Sequence, residues 1–127
     1  MSKILIVEDN VEIAELVRDL LIQEGFEAII CHDGYQGIEF THKFQPDLIL
    51  LDLMLPAGGG YYVLEKVRLS SHTKYTPIVV LTASKDKEQK KQVLEKGVEA
   101  YLEKPYDNQE LISTIRNVLG QDQQETS

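Results

Sequence analysis

Residues 48–56 read LILLDLMLP, an apolar run that contains a single carboxylate, Asp52. A short, continuous apolar run is typical of a strand that is buried on both faces of a parallel sheet. An unpaired charge in such a strand is costly, because burial removes the water that solvates the carboxylate. The run therefore predicts a central strand, and it also predicts that some other group compensates the charge of Asp52.

Four further apolar runs alternate with segments of helical periodicity. The predicted strands cover residues 3–7, 26–31, 47–51, 77–81 and 100–104. The helical segments are 34–44, 62–69, 85–96 and 107–119, preceded by a first helix whose apolar stripe is Ile13, Val17, Leu20 and Leu21. This alternation predicts an α/β fold with a doubly wound, five-stranded parallel sheet and five helices. For five such units the common arrangement is flavodoxin-like, with strand order 2-1-3-4-5.

Length, composition and charge limit the class of protein. The 127 residues suffice for one domain, which we expect over residues 1–119, followed by a flexible polar tail or the start of a linker at 120–127. The net charge of −8 would repel nucleic acid, and the apolar N-terminal run is too short for a membrane span. A single cysteine, Cys31, allows no internal disulfide, so a cytoplasmic location is expected.

Acidic, hydroxyl and amine side chains, which can bind ligands or take part in a reaction, follow the ends of the predicted strands. Glu8 and Asp9 end the first strand, Asp52 the third, Thr82 the fourth and Lys104 the fifth. The carboxyl ends of parallel strands share one edge of the sheet, and ligands bind there, where the strand order reverses. We therefore expect these five side chains to meet at one rim.

The predicted rim has the composition of a magnesium and phosphoryl site. Three carboxylates repel one another unless a proton or a cation lies among them. Oxygen ligands without His or Cys favour Mg²⁺, and the Met54 carbonyl is a candidate for a further ligand. Lys104 and Thr82 add a positive charge and a hydroxyl donor, which together suit a phosphoryl group. Asp52 is then the expected nucleophile, and its product is an aspartyl phosphate.

These motifs resemble the response-regulator receiver domain of two-component signalling. The resemblance covers residues 2–119 and rests on ILIVEDN (4–10), DLILLDLMLP (47–56), VVLTA (79–83) and AYLEKPY (100–106). It implies a signalling module, not an enzyme. Asp52 would accept a phosphoryl group from a sensor histidine kinase or a histidine phosphotransfer protein.

The resemblance also implies a role for each residue at the metal and the phosphoryl group. Asp9 and Asp52 would bind Mg²⁺ directly, together with the carbonyl of Met54. Glu8 would act on the ion through a water molecule. Thr82 and Lys104, at the ends of the last two strands, would bind the phosphoryl oxygens.

A switch and two docking surfaces are implied in the same way. Thr82 would move toward the phosphoryl group, Tyr101 would turn inward after it, and the Lys104–Pro105 peptide bond would be cis. The surface formed by the fourth helix, the fifth strand and the fifth helix would then engage a downstream protein or an output domain. A phosphorylation-dependent homodimer is also compatible with this scheme. The kinase would face the first helix and the region of Pro105.

Two residues depart from the usual pattern of the family, and two others bear on how long the phosphoryl group would last. Glu8 replaces the commoner first aspartate, and Gly59 stands where an Asp or Asn often caps the third helix. Met54 and Ser84 occupy positions that tune dephosphorylation, and neither has a carboxylate or an amide that would orient water. Slow self-dephosphorylation is the hypothesis that follows.

Other functions remain open from the residues alone. A phosphatase or phosphotransferase typically needs a second acid two residues after the nucleophile, where this chain has Met54. A flavodoxin-like cofactor binder would need a phosphate-binding loop that the sequence lacks, and a pseudo-receiver would keep only the fold. Several residues also have a purely structural interpretation, as a solvated helix face or as surface histidines: Lys87, Lys90, Lys91, Lys96, His32, His42 and His72.

Overall fold

Five parallel strands form one sheet in the order β2-β1-β3-β4-β5, which confirms the predicted sheet and the order expected as the common one for five such units. The structure, a computed structural model, describes residues 1–55 and 59–121. The strands are β1 (Lys3–Val7), β2 (Glu27–Cys31), β3 (Leu48–Asp52), β4 (Ile78–Thr82) and β5 (Ala100–Glu103). The helices are α1 (Val11–Gln23), α2 (Gly34–Phe44), α3 (Gly59–Leu69), α4 (Lys87–Glu95) and α5 (Asn108–Val118).

The sheet separates two hydrophobic clusters, and alternate residues of each strand enter one or the other. Ile4 and Ile6 of β1 pack on the side of α1 and α5, whereas Leu5 and Val7 pack on the side of α2, α3 and α4. All residues of β3 and β4 are buried. Each buried Leu or Ile contributes about 1.5–3 kcal/mol, so the two central strands anchor the fold.

Short polar side chains fix the starts of the helices. The Asp33 carboxylate accepts the backbone N–H of Gln36 at 2.9 Å, which confirms the predicted start of α2. Asn10 caps α1 in the same way, through the N–H of Ile13 at 3.0 Å. The helix α2 ends at Phe44, and the next residue, Gln45, has a left-handed backbone conformation with a φ of 50°. These caps set the direction in which the chain leaves the sheet edge.

Two details of the predicted helices are wrong. Ile13 is 39% exposed, and Ala14 occupies the core position beside Val17. The spacing of apolar residues does not determine which of two adjacent helix residues faces the sheet. The helix α3 begins at Gly59, three residues before the predicted start at Tyr62, since glycines give no apolar signal.

One arginine binds the segments that precede β4 and β5, at the amino ends of the strands and away from the predicted site. Arg68 of α3 donates to the carbonyl oxygens of Gly97 (2.8 Å) and Thr76 (2.7 Å), just ahead of β5 and β4. It also pairs with the Glu99 carboxylate at 3.0 Å. A planar guanidinium carries five N–H donors in a fixed fork, so one side chain can bind acceptors from several segments in a defined geometry. Nothing in the sequence pattern marks this residue.

Two smaller expectations concern Cys31 and the chain end. Cys31 is 1% exposed at the end of β2, as expected for a small core side chain, and burial raises the pKa of its thiol to about 12. Within residues 1–55 and 59–121, no helix has the length and hydropathy needed to cross a bilayer. The predicted tail lies mostly outside the described residues, which end at 121.

The start of α3 lies directly against the chain that follows Asp52. A Cβ atom on Gly60 would stand 2.5 Å from the Leu53 Cα and 2.8 Å from the Asp52 carbonyl oxygen. The Gly60 N–H donates to the Leu53 carbonyl at 3.2 Å. Only glycine allows this backbone contact, which fixes the position of the chain beside the carboxylate.

We expect Gly60→Ala to destabilise the fold by about 3 kcal/mol, because backbone atoms on both sides cannot move away. Gly59→Ala is the matched control, since a Cβ there meets no atom of residues 1–55 and 59–121 within 4 Å and its φ of 72° is the unfavourable feature. That control should cost about 1 kcal/mol. Urea denaturation measures both values, and an equal loss in the two variants would contradict the importance of the contact.

Candidate functional site

The carboxyl ends of β1 and β3 bring three acidic side chains together. Carboxylate oxygens of Glu8, Asp9 and Asp52 all lie within 4.8 Å of one another. Glu8 and Asp52 are buried, at 4% and 5% exposure, whereas Asp9 is exposed. The cluster is therefore open to solvent on the side of Asp9 and enclosed on the side of the sheet.

A single lysine compensates the two buried carboxylates. The Lys104 ammonium, at the end of β5, lies 3.3 Å from Glu8 Oε1 and 3.2 Å from Asp52 Oδ2. Its side chain is itself only 24% exposed. Removing one member of such a buried arrangement leaves an uncompensated charge, which costs far more than a surface ion pair. This contact supplies the compensation that the LILLDLMLP stretch requires.

Backbone N–H groups bind the remaining carboxylate oxygens. Met54 N–H donates to Asp52 Oδ1 at 2.9 Å, and Asn10 N–H donates to Glu8 Oε2 at 3.1 Å. Each buried carboxylate therefore has one oxygen on Lys104 and the other on the chain two residues ahead. These donors hold both carboxylates in fixed orientations, and sequence reasoning missed them because a backbone donor leaves no trace in residue identity.

The environment shifts the pKa values of two of these groups. Burial raises the pKa of Glu8, and the neighbouring Asp52 raises it further, against the opposing effects of the Asn10 N–H and Lys104. Burial alone would lower the pKa of Lys104, but the charges of Asp52 and Glu8 outweigh it and the net shift is upward. Lys104 therefore remains an ammonium at neutral pH, and the carboxyl groups outnumber it three to one.

His32 contacts the backbone of Glu8 next to the acidic cluster. It is half-buried, so its predicted assignment to the surface is wrong. Its ring Nδ1 lies 2.9 Å from the Glu8 carbonyl oxygen, and its own backbone N–H donates to Gln36 at 3.0 Å. His42 and His72 are exposed, as predicted. The His32 contact fixes the chain between β1 and α1, where both acidic residues stand.

Thr82 ends β4, the strand next to β3, and is fully buried. Its hydroxyl oxygen accepts the backbone N–H of Ser84 at 3.1 Å. Its carbonyl accepts the N–H of Lys104 at 2.8 Å, which ties the ends of β4 and β5 together. The Lys104–Pro105 peptide bond is cis.

Tyr101 lies on β5 and packs against the cluster on the side of α2, α3 and α4. Within residues 1–55 and 59–121, its buried hydroxyl has no hydrogen-bond partner. Burial raises the pKa of this phenol, and the nearby Glu103 adds to the shift. The Lys90 ammonium of α4 stands 5.6 Å from the centre of its ring. The ring is therefore partly buried, and its hydroxyl is unsatisfied by the part of the chain that the structure describes.

A groove of about 460 Å³ opens beside Lys104. It is mostly apolar, with Leu16 70% exposed on α1 and Pro105 and Tyr106 on the opposite wall. Its full lining is Ile13, Leu16, Val17, Leu20, Lys104, Pro105, Tyr106, Asn108 and Leu111. An apolar surface of this kind next to a charged site suits a protein partner that must approach the site.

The chemistry of the acidic cluster fits a hard divalent cation. Its donors are carboxylate oxygens only, which favour Mg²⁺ over zinc or copper. Asp9 gives the cluster an open side, through which an ion could keep several of its waters. The three carboxylates predicted to hold the metal are thus assembled at one rim, with Lys104 beside Glu8 and Asp52.

Comparison with known proteins identifies the family. The sequence model of one protein family, the response regulator receiver domain, matches residues 4–116 of this chain. The transcriptional regulatory protein CpxR of Escherichia coli is 39% identical over 119 residues, which are 94% of this chain and 50% of CpxR. The chain spans about half the length of the curated relatives it matches.

Two solved receiver domains have the same fold. The receiver domain of the Pseudomonas aeruginosa sensor histidine kinase PA1611, with a magnesium ion coordinated in its active site cleft, has a TM-score of 0.86 at 28% identity and covers 94% of this chain and 98% of its own. The BeF3-activated N-terminal receiver domain of Klebsiella pneumoniae RstA has a TM-score of 0.87 at 29% identity, with 94% and 99% covered. The family match over residues 4–116 and the shared fold lead to the same conclusion. The chain belongs to the response regulator receiver domain family of two-component signalling.

Proposed function

We propose that this receiver domain is a phosphorylation-controlled switch in which Asp52 accepts a phosphoryl group in a Mg²⁺-dependent reaction. The observation that carries the proposal is the Asp52 carboxylate itself. It is 5% exposed, it is held by Lys104 and a backbone N–H, and it lies beside two further carboxylates. A purely structural role would not require so costly a concentration of charge.

Four residues would hold the metal, and the ion would neutralise charge on the transferring phosphoryl oxygens. Asp9 and Asp52 are the direct carboxylate ligands, the Met54 carbonyl is a further one, and Glu8 acts through water.

The phosphoryl group would come from a phosphohistidine of a sensor kinase or a phosphotransfer protein. An Asp52 oxygen attacks phosphorus as the phosphorus–nitrogen bond breaks, and the imidazole leaves with its electron pair and takes a proton from solvent. Lys104, 3.2 Å from Asp52 Oδ2, is placed to bind a phosphoryl oxygen. The Thr82 hydroxyl would bind another after exchanging its present contact with the Ser84 N–H.

The output of this reaction would be a change of surface and not a released product, so the chain is a signalling module and not an enzyme with turnover. Movement of Thr82 would shift the loop after β4, and Tyr101 would follow it. The face formed by α4, β5 and α5 would then bind a downstream protein, an output domain or a second phosphorylated copy. We propose residues 1–119 as the switching unit, since α5 ends at Val118 and Gly120 follows with a φ of 75°.

Incubation with acetyl phosphate and Mg²⁺ should add one phosphoryl group to the protein, as measured by intact-mass spectrometry. Asp52→Asn should abolish the adduct, because an amide oxygen is a far weaker nucleophile than a carboxylate. Asp47→Asn is the matched control, since this exposed aspartate binds the Lys3 N–H at 2.7 Å, at the start of β1 and away from the acidic cluster. An adduct that persists in the Asp52 variant, or that forms equally well without Mg²⁺, would refute the proposal.

The aspartyl phosphate should decay slowly, because neither position that tunes dephosphorylation offers a group to orient water. Met54 is 66% exposed and apolar, and the Ser84 hydroxyl already accepts the N–H of Asp86 at 3.1 Å. We expect Met54→Glu to shorten the half-life about tenfold, a change of about 1.4 kcal/mol in the barrier. Met54→Leu is the apolar control, and decay of the phosphorylated wild type as fast as that of the glutamate variant would contradict the hypothesis.

The groove beside Lys104 is the proposed docking surface for the phosphodonor protein. Leu16→Arg should slow transfer at least about tenfold from whichever phosphorylated kinase of a purified panel serves the wild type best, because a charge would enter an apolar contact. Leu69→Arg, at a leucine 72% exposed on α3, is the matched control. Phosphorylation by acetyl phosphate should be unchanged in both variants, and a Leu16 variant that accepts normally from the kinase would exclude this surface.

A further inference from the structure

The strand β2 is an edge strand, since within the part of the chain that the structure describes it pairs only with β1. The N–H of Glu27 and the carbonyl of Cys31 are bonded to residues that flank β1. Because the hydrogen-bonding direction alternates along a strand of a parallel pair, the backbone groups of Ala28 and Ile30 point to the free edge. This edge therefore presents donors and acceptors that another strand could take up.

The sequence of β2 does little to protect this edge. Proteins usually protect an edge strand with charged residues, a proline or a bulge. The strand reads EAIIC, its one charge is at the first position, and its register with β1 is continuous over residues 27–31. The side chains of Ala28, Ile29 and Ile30 are half-buried. An apolar edge without these protections is a predicted site of strand pairing.

A groove of about 360 Å³ opens beside the same edge. Ile22, at the end of α1, lines it together with Phe26 and Ala28, and Ile22 is 55% exposed. Ala28 belongs to the α1 side of the sheet, where it contributes only a methyl group. The groove could therefore receive a larger apolar side chain from a strand paired with this edge.

The helix α1 has a stripe of four residues that faces the side of β2. Val11, Glu15, Arg18 and Ile22 recur at helical spacing, and Ile22 reaches the groove beside β2. Val11 is 52% exposed. The stripe reads apolar, acidic, basic, apolar, so it is complementary in charge to its own reverse.

We propose that the α1–β2 surface, formed by β2 and this stripe of α1, pairs with the same surface of a second copy of the chain. Two-fold symmetry would make the two β2 strands antiparallel and place Ala28 of each copy opposite Ile30 of the other. Each such pair would exchange both of its backbone hydrogen bonds. The side chain of Ile30 would then enter the groove beside Ala28, and Ile29 would meet its own counterpart on the other face.

The charges of the stripe favour a copy of the same chain as the occupant. In an antiparallel approach, Glu15 of each copy lies opposite Arg18 of the other, and Val11 lies opposite Ile22. Arg18 now contacts its neighbour Asp19 at 3.3 Å, an exposed pair that contributes little and leaves guanidinium donors available. The net charge of −8 makes two copies repel at long range, so association requires such local complementarity.

This association goes beyond the proposed function and does not depend on it. The groove beside Lys104 is lined by other residues of α1, among them Leu16 and Leu20. The face formed by α4, β5 and α5 lies toward the other edge of the sheet. Pairing through the α1–β2 surface would leave both of these surfaces open, and it would need no phosphoryl group.

The test is analytical ultracentrifugation of the unphosphorylated full chain from micromolar to millimolar concentration, in about 0.15 M salt to limit long-range repulsion. We expect a reversible dimer with twice the monomer mass of 14.4 kDa. Glu15→Arg should weaken it at least about tenfold, because both ion pairs become repulsive. Glu65→Arg is the matched control, with the same change in net charge at an exposed position of α3, and it should not weaken the dimer.

The exchange of both charges is the sharpest variant. Glu15→Arg combined with Arg18→Glu should restore the dimer to within about threefold of the wild type, since the charges change places across the axis. A partner of different sequence would not regain affinity in this way. A dimer that stays weak in the exchanged variant would overturn the two-fold pairing.

Ala28→Pro tests the strand edge, because it removes the N–H that points away from β1. The variant should remain a folded monomer, as judged by far-UV circular dichroism. A wild type that is monomeric at millimolar concentration, a dimer that Glu15→Arg leaves intact, or a folded Ala28→Pro chain that still dimerises would overturn the inference. If the proline variant does not fold, the charge exchange alone decides.

Discussion

The contact of Lys104 with Asp52 and Glu8 is the constraint on which the rest of this structure depends. Two carboxylates at 5% and 4% exposure cannot be retained without a cation, and one ammonium serves both at 3.2 and 3.3 Å. The partners are 52 and 96 residues apart in the chain, so the contact requires the complete sheet. The same ammonium that stabilises the unmodified site is thereby already placed where a phosphoryl oxygen would need it.

The sheet meets this requirement through its topology. Because β1 and β3 are neighbours and the chain returns to opposite sides of the sheet after them, their carboxyl ends open a crevice at the reversal of strand order. The acidic residues stand at that crevice, and β4 brings Thr82 to its side. At the opposite edge, Arg68 binds the segments ahead of β4 and β5. Stability and chemistry are in this way assigned to different ends of the same strands.

Much of this arrangement could be predicted from the sequence, because buried parallel strands leave continuous apolar runs and their polar ends must share an edge. The parallel sheet, the assembly of the acidic residues and the cap at Asp33 follow from such patterns, whereas the strand order was expected only as the common one for five units. Features that depend on backbone proximity could not be predicted. The approach of Gly60 to Leu53, the N–H donors of Met54 and Asn10, and the half-buried His32 involve geometry that residue type does not encode. Ile13 was wrongly predicted to face the core, because a hydrophobic pattern does not determine which of two adjacent helix residues faces the sheet.

Of the five helices, α4 buries the fewest residues, and it is also the one that the proposed switch would need to move. The helix α4 buries only Val93, begins with lysines that oppose its dipole, and rests on the sheet beside a tyrosine whose buried hydroxyl has no partner among the described residues. Elements with few buried apolar contacts open at low free energy, so modest forces can reposition them. A charge placed on Asp52 would act through Thr82, at the end of the strand that leads into α4. The site and this helix are joined by one short loop, which is how the proposed phosphorylation would have an effect at a distance.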